Sequence, residues 1–138
     1  MGPRMRRDGW EGVLVEAVEA ARSRSFVWGT QDCATWAFDL RRDLTGGDDT
    51  AALWRGRYHT ARGAARVMRR LGWSNMPVAG TALLGAPLSD VRLAQRGDLV
   101  LSHNATSFGV CLGAQAAFLA PEGVTRRPLT SCALAWRT

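Results

Sequence analysis

The sequence predicts an α+β fold in one domain spanning residues 1–138, with N-terminal helices packed on a C-terminal antiparallel sheet. Three observations predict it. Apolar residues recur at helical spacing through roughly the first seventy positions. Short apolar runs bounded by turn residues fill the last third. A chain of 138 residues is one domain's worth of polypeptide, enough to bury a core.

The elements follow in order. Trp10, Val13, Leu14, Ala17, Val18 and Ala21 share one helical stripe with Glu11, Glu16 and Glu19 off it, which predicts a first helix over residues 9–23. Gly29, Thr30 and Asp32 favour a turn and a helix cap. Cys33, Trp36, Ala37 and Leu40 then begin a second helix that stops at Thr45-Gly46-Gly47. A short helical piece fits Ala51 to Trp54. A third helix runs from Thr60 to Leu71 and ends on a glycine cap at Gly72. Residues 73–90, with Pro77, Gly80, Gly85 and Pro87, read as loop holding one short helix or strand. Strands are predicted at Leu99–Leu101, Phe108–Leu112, Ala116–Ala120 and Val124–Leu129. The loop His103-Asn104-Ala105-Thr106 makes a hairpin of the first two. The tail from Ser131 to Trp136 is expected to pack back on this sheet. Cys111 and Cys132 read as core residues, and Asp98 as a turn residue.

Charge and composition narrow the function classes. The net charge is +6, and all eighteen basic residues are arginine. They are scattered, with no basic tail and no nucleic-acid recognition motif, so no specific nucleic-acid partner is expected. The densest cluster is Arg55, Arg57, Arg62, Arg66, Arg69 and Arg70, which also holds Trp54 and Tyr58. One reading is the solvated side of a helix. The other is a protein interface, because arginine, tryptophan and tyrosine are enriched in interface hot spots. Arg55, Arg57, Tyr58, Arg62 and Arg66 are the candidate interface residues, with the basic segment from Arg4 to Trp10 beside them. No apolar run is long enough to span a bilayer, and the N-terminus does not read as a signal peptide. Three widely spaced cysteines make neither a disulfide framework nor a metal knuckle. No metal or cofactor is expected.

Cys33 is the one candidate nucleophile. A cysteine in the first turn of a helix feels the partial positive charge there, which favours the thiolate. A small buried residue under Trp28 and Trp36 accounts for the same pattern.

Five short motifs in order carry a resemblance: Trp28-Gly29 with Asp32-Cys33, Arg55-Gly56-Arg57-Tyr58, Gly97 to Leu101, Gly109 to Gly113, and Ala135-Trp136-Arg137. Over residues 25–138 the chain resembles a small phage and prophage tail-associated family within the NlpC-type branch of the papain-like cysteine endopeptidases. The resemblance implies a papain-like fold in which the Asp-Cys pair opens a helix packed on an antiparallel sheet. It also implies a catalytic histidine at the position of Ser107 and a polar orienting residue near Leu119. Serine cannot be the base that activates a thiol, and leucine cannot orient an imidazole. His103, on the hairpin across from Ser107, is the candidate substitute base. A surface turn residue is its other reading.

Two functions follow from the resemblance. The first is a structural component of a bacteriophage or prophage-type tail, in the tip or hub region, on a catalytically degenerate peptidase-like domain. Its partners would be other tail proteins, including the host-contacting one. It would be made in the host cytoplasm and reside in the virion. The alternative is an active cysteine endopeptidase or amidase that cuts peptidoglycan peptides as the genome enters the cell. Cys33 would then attack and His103 serve as base.

Overall fold

The computed structural model describes residues 6–138. Arg4, the start of the basic N-terminal segment, lies outside them. The first helix, α1, covers Trp10–Ala21 and buries Leu14, Val18 and Ala21. The second, α2, covers Cys33–Thr45. The Asp32 side chain caps it by accepting from the Thr35 N–H at 2.9 Å. The predicted one-sided stripe understates α2. Cys33 to Phe38 are all buried, because α1 lies on one side of the helix and the sheet on the other. A 3₁₀ turn at Thr50–Leu53 follows.

Helix α3 covers Ala61–Arg70, with Thr60 as its cap. It ends in a Schellman arrangement: Trp73 N–H reaches Met68 C=O at 2.9 Å and Gly72 N–H reaches Arg69 C=O at 3.0 Å. Gly72 sits at φ +94°, where an L side chain would be strained. Residues 76–84 resolve the predicted loop region into a nine-residue helix, α4 (Met76–Leu84), capped by Asn75. Neither of its helix breakers breaks it. Pro77 lies in the first turn, where no N–H is needed. At Gly80 a Cβ would overlap the Trp136 ring, so this glycine makes room for the tryptophan.

The sheet has five antiparallel strands: β1 (Leu99–Leu101), β2 (Phe108–Cys111), β3 (Gln115–Ala120), β4 (Gly123–Pro128) and β5 (Leu134–Trp136). Their order is β4-β3-β2-β1-β5. The predicted β1–β2 hairpin is present in the register Leu99↔Val110 and Leu101↔Phe108. The tail does more than pack on the sheet. It becomes strand β5, pairing Leu99↔Trp136 and Leu101↔Leu134, so β1 is interior on both edges.

Alternation sorts the strands' side chains onto two faces. Leu99, Leu101, Phe108, Val110, Ala117, Leu119 and Trp136 join the helices in the main core. Val100, Cys111, Ala116, Phe118 and Ala135 face the other way, where Leu129, Cys132 and the segment from Leu88 to Ala94 cover them. Both predicted core cysteines are buried there. The α+β architecture is as the sequence predicts, and α2 packs, through β2 and β3, on a sheet that contains the β1–β2 pair.

Candidate functional site

Cys33 stands at the N-terminus of α2, 8 % exposed, in the floor of a groove of about 520 Å³. Phe26, Trp28, Met68, Trp73 and Met76 supply its apolar walls. Burial pushes the thiol up to about 11, and the nearby Asp32 carboxylate adds to the rise. The nearby Phe108 and Ala34 backbone and the Ser107 hydroxyl pull the other way without prevailing. The helix N-terminus is thus outweighed by desolvation. At neutral pH the sulfur is a thiol, the unreactive form.

The residues around it bear directly on the catalytic reading. Ser107 does meet Cys33, at the position where a papain-like histidine is implied. Leu119 also lines the groove, and its side chain carries no polar atom. His103, the candidate substitute base, does not line it. That residue is exposed on the hairpin loop and borders an adjoining cavity, which shares Thr106, Ser107, Leu119 and Ala120 with the groove and extends to Arg127 and Cys132. The loop holds it there. Ser102 Oγ accepts from the Thr106 and Ser107 N–H groups at 3.3 and 3.1 Å. Asn104 Oδ1 accepts from the Ser102 and Thr106 hydroxyls at 2.7 Å each. His59 is exposed and lies outside the groove lining as well. Among the described residues no histidine borders the groove, and no group of three potential ligands gathers to hold a metal ion.

Two of the sequence motifs close on each other just behind Cys33. Asp32 Oδ2 accepts from the Gly29 N–H at 2.8 Å and from the Tyr58 hydroxyl at 2.6 Å. Gly56 N–H donates to Gly29 C=O at 2.9 Å. Gly29 sits at φ +88°, and a Cβ there would run into the Tyr58 carbonyl, so only glycine fits. Tyr58 is 4 % exposed and spends its hydroxyl on Asp32; burial and that carboxylate raise it well above an ordinary phenol. Tyr58 is therefore an interior strut, where the sequence reading placed it on an interface.

The same clasp continues through Trp54, whose Nε1–H donates to Thr35 Oγ1 at 3.1 Å. Trp54→Phe keeps most of the packing against Phe38 and Trp73 but removes this buried bond. A urea titration is expected to show a loss of about 1–2 kcal/mol. Trp54→Ala is expected to lose more, about 3–5 kcal/mol, through the cavity it leaves.

The candidate interface arginines divide. Arg55 is bound on the chain itself, bidentate to Asp39 at 2.8 and 2.9 Å and to Asp49 at 2.7 Å. Arg57, Arg62 and Arg66 are exposed and have no ion-pair partner among the described residues, and the same holds for Arg69 and Arg70. Of the N-terminal segment, Arg6 is also committed. It bonds Asp98 at 3.0 Å and Thr138 C=O at 2.8 Å, and stacks on Trp10 at 4.7 Å.

Asp98 is the residue whose role the sequence reading understates. Its side chain is wholly buried between Arg6 and Arg137. Oδ1 accepts from Arg6 Nη2 and the Thr138 N–H; Oδ2 accepts from the Gln95 N–H at 2.8 Å and Arg137 Nε at 3.1 Å. This ties both ends of the described chain to the start of β1. Nothing in the local sequence separates such an aspartate from an ordinary turn aspartate, since its partners lie 92 and 39 positions away.

A family model described as a domain of unknown function (DUF6950) matches residues 5–138. No curated protein and no solved structure matches the chain.

Proposed function

The chain belongs to DUF6950, a domain family of unknown function, and we propose that it is a catalytically silent papain-like domain of the NlpC type, serving as a structural component of a phage or prophage-type tail. One observation carries the silent half of this reading. The thiol where a nucleophile would stand faces Ser107, and no histidine borders its groove. A serine hydroxyl is far too weak a base to take a proton from a thiol pushed up to about 11. The tail assignment is supported by the five motifs and by unpaired arginines on one helix, which suit protein contacts. Its partners in this reading are neighbouring tail-tip or hub proteins, and the domain travels in the virion.

Iodoacetamide tests the chemistry. Cys33 is expected to be alkylated at pH 7.5 at least about tenfold more slowly than glutathione, since free cysteine titrates near 8.5. Incubation with purified peptidoglycan is expected to release no peptide. Rapid alkylation of Cys33, with peptide release that Cys33→Ala abolishes, would establish the hydrolase instead.

The raised thiol also makes a pH-dependent stability. Unfolded Cys33 ionises near 9 and folded Cys33 near 11, so the folded state holds the proton more tightly. The resulting stability is complete below about pH 9 and is lost as pH rises to about 11. The melting temperature is expected to fall across that window, and to fall less in Cys33→Ala. A fall of equal size in both proteins would remove Cys33 as its source.

A further inference from the structure

The forty residues from 50 to 89 contain six arginines and no aspartate or glutamate. Among the described residues only Arg55 finds carboxylates, and it borrows them from Asp39 and Asp49 outside the segment. The remainder of this positive charge is uncompensated, and most of it sits on α3. Helix geometry arranges it. Ala61, Ala65 and Met68 line the groove over Cys33. Arg62, Arg66 and Arg69, at i, i+4 and i+7, form the adjacent row on the outer side of the same wall, and Arg69 reaches the groove itself. Like charges at this spacing repel one another in the free chain. An apolar cleft of ligand-binding size thus runs beside a row of unsatisfied guanidinium groups.

We propose that the groove and the arginine row form one docking site for a short acidic segment of a partner protein. One aromatic or aliphatic side chain of that segment fills the groove between Trp28, Trp73 and Met76. Carboxylates flanking it on the segment pair with Arg62, Arg66 and Arg69. Guanidinium forks hold carboxylates bidentately, and an apolar anchor in a desolvated pocket supplies the binding energy that surface charge alone does not. A nucleic acid fits less well. The cationic row is a single short helix, about 10 Å between Arg62 and Arg69 at the helical rise, whereas single-strand binding needs a basic channel tracking several phosphates. This site rests on the reading of the groove as non-catalytic.

The test selects a random peptide library, displayed on phage, against the full chain. Affinities of the recovered peptides are then measured by quenching of tryptophan fluorescence. The expected consensus is one large apolar residue flanked by Asp or Glu. Arg62→Gln/Arg66→Gln/Arg69→Gln is expected to weaken binding at least about tenfold, as two or three lost charged contacts would. Ala65→Trp, an exposed position on the groove wall, is expected to do the same by filling the groove. Thermal melts show whether both variants remain folded. Failure to enrich a consensus, a consensus without acidic residues, or unchanged affinity in both folded variants would overturn the site. So would displacement of the peptide by an equal concentration of a twenty-nucleotide oligothymidylate. Mass spectrometry of the recovered peptides separates the two readings. Cleavage that needs Cys33 would overturn catalytic silence and this docking site with it, whereas absence of binding would overturn the docking site and leave silence untouched.

Discussion

Asp98→Ala is expected to cost about 3 kcal/mol, a large share of the 5–15 kcal/mol that holds a domain of this size together. The carboxylate is wholly buried and accepts four bonds, two from guanidinium groups and two from backbone N–H groups. Its removal leaves the Thr138 N–H buried without a partner and sets two arginine heads against each other. Both arginines keep some access to water, with side chains 17 % and 34 % exposed. That places the cost at the lower end of the range for a broken buried pair. Arg137→Ala, losing one partly screened arm and a bond to the Leu93 carbonyl, is expected to cost about 1 kcal/mol, and Arg6→Ala, which also loses the Thr138 and Arg96 carbonyls and the Trp10 ring, somewhat more. Urea titration measures all three. An Asp98→Ala loss below about 1 kcal/mol would show that the hub is incidental.

The hub shows where a sequence stops being legible. Helices α1 to α3 and the β1–β2 hairpin are written in local signals: period, caps and turn residues. Their boundaries fall within two residues of the expected ones. Helix α4 was obscured because Pro77 and Gly80 look like breakers until the first is placed in an N-terminal turn and the second under Trp136. Strand β5 was hidden because three residues carry too little period to announce a strand, and only pairing with β1 makes one. The motifs suggested chemistry, yet much of what they specify is cohesion. Asp32 meets Tyr58, Gly29 meets Gly56, and Asp98 meets Arg137. Each pairing joins two motifs far apart in the chain, and long-range pairing of this kind has no signature in either stretch alone. The groove was legible only in part. Cys33, Ser107 and Leu119 line it, while His103 borders only the adjoining cavity, on a loop that Ser102 and Asn104 hold by hydrogen bonds.

Ser107→His is expected to awaken Cys33. Ser107 is half-buried and lines the groove beside Cys33, so an imidazole there can reach the thiol without displacing the β1–β2 hairpin. The wild-type thiol, near 11, exposes on the order of one thiolate in several thousand at pH 7.5. A histidine beside a cysteine stabilises the ion pair and has lowered such thiols by several units in cysteine proteases. The groove walls work against this gain, because they exclude water and disfavour both charged forms. A net increase of at least about tenfold in the iodoacetamide rate is therefore expected near neutral pH. Its pH profile is expected to flatten, in place of the steady climb toward pH 11 of the wild type. Peptide cleavage is not expected, since Leu119, where the resemblance implies a polar partner for the imidazole, has no polar atom to fix its orientation. Adding Leu119→Asn is the step that would supply one. A Ser107→His protein that folds but alkylates no faster than the wild type would show that the missing base is not what keeps this cysteine quiet, and that burial alone does.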